Sequence, residues 1–174
     1  MTQELMNPMR QIRVAKVTLN IGAGKDAQLL EKGVKLLEQL TGVPPVKTIT
    51  KKRIPSWGLR PGLPIGCKVT LRGKEAMDII PRLLSAKENN LSKKNYDSCG
   101  NVSFGIPEYI DIDGAKYDPE IGIIGLQVCI TLTRPGYRVK LRKIRPAGMK
   151  KSHIINQDDA IQFMDASFKT RLEE

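Results

Sequence analysis

The segment Val14–Ile21, with the sequence VAKVTLNI, alternates between apolar and polar side chains. In an extended chain the apolar members share one side and the polar members the other: Val17, Leu19 and Ile21 against Lys16, Thr18 and Asn20. This period is typical of a strand with one buried face. A glycine turn at Gly22–Gly24 follows, and Asp26–Leu40 carries leucines at helical spacing, so we expect a helix that packs on the apolar side of the strand.

The same two-residue period recurs further along the chain. It predicts strands at Cys67–Arg72 and Gly125–Thr133, with shorter ones at Val46–Thr50 and Val102–Ile106. Helices are predicted at Lys74–Ala86, on Met77, Ile80 and Leu84, and from the cap Asn156 to about Lys169. Pro81 should kink or divide the first of these, because proline removes a backbone donor.

Together these elements predict an α+β fold. We expect two layers, with a mainly antiparallel sheet and helices packed on one face only. The other sheet face is left open, and no predicted strand places Asp or Glu on it. Lysines, threonines and amides suit ribose hydroxyls and phosphates, which makes this face a candidate site for RNA. The candidate residues are Lys16, Thr18, Asn20, Gly22, Lys68, Thr70 and Arg72.

The charge of the chain is strongly positive and unevenly placed. The formal net charge is +11, which favours a polyanionic partner or an acidic membrane surface. Residues 39–74 and 121–157 contain no Asp or Glu, yet they hold 16 of the 29 basic residues. Two long acid-free windows favour phosphate binding over a merely solvated basic surface.

Two glycine- and proline-containing stretches within these windows should project from the sheet. The first is a long exposed loop at residues 51–64, with candidate contacts at Lys51, Lys52, Arg53, Trp57 and Arg60. Trp57 could stack on a base or fold back onto the core. The second is the basic segment 134–153, with candidate RNA or protein contacts at Arg134, Arg138, Lys140 and Arg142. We expect His153 to be a surface or RNA-contacting residue.

Several other classes of protein are disfavoured. The three cysteines are widely spaced and there is one histidine, so neither a disulfide framework nor a metal site is expected. The N-terminal residues lack the apolar stretch of a signal peptide, and no apolar run is long enough to cross a membrane, which fits a cytoplasmic setting.

One motif could belong to an enzyme. Gly22–Ala27 has the glycine spacing of a dinucleotide-binding turn, and a nucleotide-dependent enzyme is one alternative function. The acid that should follow about 20 residues later is missing, because residues 39–74 contain none. A glycine turn that directs a helix N-terminus at an RNA phosphate is a simpler interpretation. We expect no catalysis and no cofactor.

Three motifs resemble those of a known family. KVTLNIG at residues 16–22, PIGCKVTLRG at 64–73 and GNVSFGIPEY at 100–109 are similar to the universal large-subunit ribosomal protein five family, and RPGYRVKLR at 134–142 resembles its archaeal and eukaryotic branch. The resemblance covers about residues 10–168.

The resemblance implies a structural protein of the large subunit that helps to attach 5S ribosomal RNA in the central protuberance. It implies RNA contacts at Asn20 and Thr70, and an approach of loop 51–64 to the P-site transfer RNA. It also implies other large-subunit RNA and proteins as neighbours, and a bridge to a protein of the small-subunit head. We expect one domain over residues 1–174. A free-standing RNA chaperone of the same fold is the other alternative.

Overall fold

The computed structural model describes residues 7–173. The first six residues, on which the expectation about a signal peptide partly rests, lie outside this range. Within it, five strands form one sheet, and every neighbouring pair is antiparallel. The strands are β1 (Arg13–Gly22), β2 (Val46–Ile49), β3 (Pro64–Leu71), β5 (Val102–Ile106) and β6 (Leu126–Thr133), in the spatial order β2-β3-β1-β6-β5.

Strand β1 lies at the centre of the sheet because both of its edges are paired. It pairs with β3 on one side and β6 on the other, so that Leu19 faces Val69 and Val128. In the central parts of β1, β3 and β6 the inward side chains are fully or almost fully buried, and the alternate side chains are partly or fully exposed. The predicted α+β fold is therefore confirmed.

Helix α1 (Ala27–Thr41) follows β1 and covers the buried face of the sheet. The Asp26 carboxylate accepts hydrogen bonds from the backbone N–H groups of Gln28 and Leu29, and this cap begins the helix. Gly42, at φ 68°, ends it in the left-handed conformation that glycine adopts easily. At Gly33 a Cβ atom would lie 3.1 Å from the Cys67 Sγ atom, so a small residue lets the helix approach the sheet closely.

Helix α2 (Gly73–Ser85) is continuous through Pro81, so the helix is not divided there. Pro81 is exposed, and the residues around it anchor the helix on both sides: Ala76, Ile79, Ile80, Leu83 and Leu84 are buried. This burial compensates for the one backbone hydrogen bond that proline removes. The expected packing of Met77 was wrong, because its side chain is 43% exposed.

The remaining elements complete the helical side and the sheet rim. Helix α3 (Arg138–Leu141) is one short turn. Helix α4 (Gln157–Phe168) begins at the predicted cap Asn156, whose backbone N–H donates a hydrogen bond to the Asp159 carboxylate. Strands β4 (Asn90–Ser92) and β7 (Arg171–Glu173) form a parallel two-stranded sheet that the sequence did not predict. No helix within residues 7–173 is long and apolar enough to cross a membrane.

Candidate nucleic-acid interface

The open sheet face brings the candidate residues of two distant sequence segments side by side. In the antiparallel register of β1 and β3, Thr18 lies opposite Thr70, and Asn20 lies opposite Lys68. Because residues opposite one another are about 5 Å apart, these four side chains form one continuous polar patch. Lys68 is exposed and the other three are half-buried. We call this surface, with the outward residues of β6, the open face.

The third strand of the open face adds residues that were not among the predicted contacts. Gln127 lies opposite Asn20, whose Nδ2 donates a hydrogen bond of 3.0 Å to the Gln127 Oε1. Cys129 lies opposite Thr18, and Thr131 opposite Lys16. Their outward orientation follows from the strand period, and the long-range register with β1 shows that they share one patch. No Asp or Glu occurs in β1, β3 or β6.

Glycines make one end of the open face shallow. Gly22 lies opposite Gly66, and Gly105 lies opposite Gln127 on the neighbouring strand. A groove of about 460 Å³ is lined here by Asn20, Gly22, Gly105, Ile106, Pro107, Gly125, Leu126 and Gln127. Without side chains at these glycines, a ligand can approach the backbone closely. Arg72 lies at the other end of β3, where it is exposed and precedes α2.

Loop 51–64 is ordered by its own hydrogen bonds. Ile54 and Leu59 exchange two backbone hydrogen bonds of 3.0 Å. The Thr50 hydroxyl donates a hydrogen bond of 2.9 Å to the Leu63 carbonyl oxygen, which holds the two ends of the loop together. Leu59 is the loop's buried anchor, at 5% exposure, whereas Trp57 is 68% exposed. Trp57 therefore does not fold back onto the core. The basic candidates Lys51, Lys52, Arg53 and Arg60 are all exposed.

Arg134 differs from the other candidates in segment 134–153. Its side chain is 9% exposed, and its Nη2 donates a hydrogen bond of 2.9 Å to the Asp159 Oδ2. Its Nη1 lies 3.4 and 3.3 Å from the His153 and Ile154 carbonyl oxygens. Arg134 thus fastens the base of the segment and is not available at the surface, whereas Arg138, Lys140 and Arg142 are exposed.

His153 belongs to the same anchoring contacts, and its side chain is half-buried. Its Nε2 is 2.9 Å from the Pro135 carbonyl oxygen, and its ring packs edge-on against Tyr137. The Tyr137 hydroxyl accepts a hydrogen bond from the Ile155 N–H at 2.9 Å and lies 3.3 Å from the His153 carbonyl oxygen. We call these contacts, together with the Arg134–Asp159 pair, the neck of the segment.

The two basic projections lie at opposite ends of the sheet. Loop 51–64 joins β2 to β3 near Gly22, whereas segment 134–153 leaves β6 beside Arg13. Ten residues of β1 separate these ends, which corresponds to roughly 30 Å of extended chain. The open face spans the distance between them.

Two acidic residues bind helix α1, on the side of the sheet away from the open face. Glu120 bonds to Lys35 on α1 at 3.0 Å, and Asp118 accepts a hydrogen bond of 3.4 Å from Gln39 one turn further on. The hydrogen bond to Glu120 raises the pKa of Lys35 above its ordinary value. These contacts place Glu120 and Asp118 on the helical side, whereas β1, β3 and β6 carry no acid.

The glycine turn after β1 does not offer a free phosphate site. The backbone N–H groups that begin α1 already donate to the Asp26 carboxylate, at 2.9 and 3.3 Å. This carboxylate also places a negative charge where a phosphate would bind. Both the dinucleotide interpretation and the simpler idea of an RNA phosphate at this helix end lose their support. Within residues 7–173, no three His, Cys, Asp or Glu residues are grouped to hold a metal ion.

Comparisons with known proteins match nearly the whole chain. A family model described as ribosomal protein L5 matches residues 7–60, and a second, the ribosomal L5P family C-terminus, matches residues 64–163. The chain is 45% identical over 172 residues to the large ribosomal subunit protein uL5 of Sulfurisphaera tokodaii, covering 98% of this chain and 97% of the relative. For uL5 of Nanoarchaeum equitans the identity is 49% over 158 residues, covering 90% and 93%. All the candidate residues lie within the matched regions.

Proposed function

The chain belongs to the ribosomal protein L5 family and is a structural protein of the large ribosomal subunit, and we propose that it binds 5S ribosomal RNA across the open face. One observation carries this proposal. Three adjacent strands turn threonines, amides and lysines outward and contain no acid. Such a surface attracts phosphates and can bind ribose hydroxyls.

Within this proposal, the side chains of the open face have distinct roles. Lys16 and Lys68 neutralise phosphates, with Arg72 beyond them at the end of β3. Thr18, Thr70 and Asn20 bond to riboses or base edges, and the Asn20–Gln127 hydrogen bond fixes the orientation of both amides. Gly22 lets the RNA backbone approach the sheet closely.

The finer partners are also part of the proposal. We infer that loop 51–64 approaches the P-site transfer RNA, with the exposed Trp57 as a stacking platform beside Arg53 and Arg60. Attachment of 5S RNA in the central protuberance, contacts to other large-subunit RNA and proteins, a bridge to a small-subunit head protein and a cytoplasmic location follow from the family resemblance. We infer one domain, since β1 pairs with strands from both halves of the chain.

The direct test is salt-dependent binding of the purified chain to 5S ribosomal RNA, with transfer RNA and duplex DNA as competitors. We expect Asn20→Ala and Thr70→Ala to weaken 5S binding by about 1–3 kcal/mol, because each removes hydrogen bonds from a buried interface. Gln39→Ala is the matched control, since it removes an exposed amide from the helical side. Lys52→Gln with Arg53→Gln should leave 5S binding nearly unchanged.

A second measurement reports on the same face without any substitution. Cys129 is exposed on the open face, whereas Cys99 is exposed beside Tyr137 and Lys140 of segment 134–153. Bound 5S RNA should slow the alkylation of Cys129.

In the competition assay, equal and steeply salt-sensitive binding to all three nucleic acids would contradict the 5S assignment and leave only the nonspecific phosphate attraction. Loss of the protein from large subunits in high salt would instead favour a free-standing RNA chaperone.

A further inference from the structure

The tip of segment 134–153 combines positive charge with exposed aliphatic side chains. Leu141 and Ile144 are 81% and 78% exposed, more than any other large hydrophobic residue of the described chain. Five cations lie within the same eight residues, and all are exposed: Arg138, Lys140, Arg142, Lys143 and Arg145. We call residues 138–145 the tip. Exposing two large aliphatic groups among cations is unfavourable in water, so this arrangement indicates a binding surface.

The tip is held in place by contacts at the base of segment 134–153 and by hydrogen bonds within and beside the tip. At its base, the neck fastens the segment to the start of α4 through the buried Arg134–Asp159 pair. Within the tip, the Arg142 Nε donates to the Arg145 carbonyl oxygen at 2.8 Å, and the Ala147 N–H donates to the Val139 carbonyl oxygen at 3.3 Å. A segment that is ordered in advance loses less conformational entropy when it binds, which raises its affinity for a partner.

We propose that the tip is a second RNA-binding element, which takes a ribosomal RNA loop or bulge containing at least one unstacked base. The cations neutralise phosphates of this loop, and Leu141 and Ile144 cover the face of the unstacked base. An RNA duplex offers no apolar surface for these aliphatic groups, because its bases are stacked inside, whereas an unstacked base exposes an apolar face. The absence of acids from residues 121–157 favours RNA over a protein partner of mixed charge.

This RNA element differs from the one on the open face. The tip lies at the end of the sheet opposite loop 51–64, next to the start of β1. An RNA that lies along the open face and a second RNA at the tip can therefore be bound together. The chain then joins two RNA elements. This inference rests on the proposed function and extends it to a second site.

The test uses the full chain with two kinds of probe. The first is labelled 5S ribosomal RNA, and the second is a set of fragments of about 50 nucleotides that tile the long RNA of the large subunit. Leu141→Ser with Ile144→Ser removes the apolar contact, with Ile123→Ser as control because Ile123 is also exposed, at 66%. A second variant, Arg138→Gln with Arg142→Gln, removes two cations. Its control is Lys87→Gln with Lys116→Gln, since both lysines are exposed elsewhere.

We expect at least one fragment to bind together with 5S RNA. The aliphatic variant should weaken binding of that fragment about tenfold, because two buried apolar contacts are lost, and should change 5S binding less than twofold. The cation variant should reduce the slope of log affinity against log salt by about 1.4, that is about 0.7 for each single-strand phosphate that is no longer neutralised. Circular dichroism should be unchanged, because the substituted side chains are exposed.

The contrary outcomes separate this proposal from the proposed function. If the tip variants bind every fragment as the native chain does, while Asn20→Ala still weakens 5S binding, the tip is not an RNA site and the open-face proposal stands. If the tip variants instead lose a large-subunit protein from reconstituted particles and keep all RNA binding, the partner is a protein and the proposal is overturned. If the native chain binds neither probe, both proposals fail.

Discussion

Replacing Asp159 by asparagine should destabilise the fold through Arg134. The Asp159 Oδ2 is the only carboxylate oxygen bonded to this buried guanidinium within the described residues, and it also accepts the Asn156 N–H at 3.3 Å. The Arg134 Nε has no hydrogen-bond partner among those residues. Asparagine keeps the shape of the side chain and one acceptor oxygen but removes the charge, so that the buried guanidinium loses its counter-ion and keeps only neutral acceptors.

The magnitude follows from the burial of the two partners. Removing one partner of a fully buried ion pair costs about 3–5 kcal/mol, because the other charge stays desolvated. Here the Asp159 side chain is 38% exposed and water reaches the pair, so we expect about 1–3 kcal/mol. Asp158→Asn is the matched control, since it removes a charge from the same helix turn without touching Arg134. It should cost about 0.3–1 kcal/mol.

The assay is urea denaturation followed by far-ultraviolet circular dichroism, because Trp57 is too exposed to report on unfolding. Equal stability of the two variants, within about 0.5 kcal/mol, would refute the idea that Asp159 holds the neck. Arg134→Met combined with Asp159→Asn should recover part of the loss, because it removes the unpaired charge along with its partner.

Three further predictions concern other parts of the fold. Gly100→Ala should cost about 2–4 kcal/mol in urea denaturation, since Gly100 has φ +77° and a Cβ atom would lie 2.5 Å from the Ile155 Cγ2; unchanged stability would mean that Ile155 can shift freely. The hydrogen bond from the Asn101 side chain lowers the pKa of Asp97, so Asn101→Ala should raise this pKa. The variant should be less stable than the native chain at neutral pH, and this difference should vanish once acid protonates Asp97. An NMR titration of Asp97 that shows no shift in pKa would contradict this. Burial raises the pKa of the Cys67 thiol, so iodoacetamide should label it at neutral pH only after unfolding.

Much of the fold could be predicted from local sequence periods. The strand at Val102–Ile106 was predicted with its observed bounds, and the Asn156 cap begins α4 as expected. The period also separated the open face from the core, because a strand exposes alternate residues. It could not give the register between strands, and therefore not the Asn20–Gln127 hydrogen bond, which joins residues 107 positions apart.

Other features depend on contacts that leave no local pattern. The pairing of β4 with β7 involves three residues on each strand and depends on where α4 ends. The burial of Arg134 depends on Asp159, 25 residues later in the chain, so composition alone grouped it with the exposed cations of its segment. Pro81 predicted a kinked or divided helix, because sequence rules describe the lost hydrogen bond but not the packing that compensates for it.

The position of β1 at the centre of the sheet has a consequence for synthesis of the chain. The order β2-β3-β1-β6-β5 means that one edge of β1 can pair as soon as β3 is complete at Leu71, whereas its other edge waits for β6, which begins at Leu126. At about 5–20 residues per second, these roughly 55 residues take about 3–11 s to translate. During that interval the nascent protein carries an unpaired strand edge, which is a site for aggregation. The half-made sheet therefore passes through a vulnerable period that the finished molecule no longer shows.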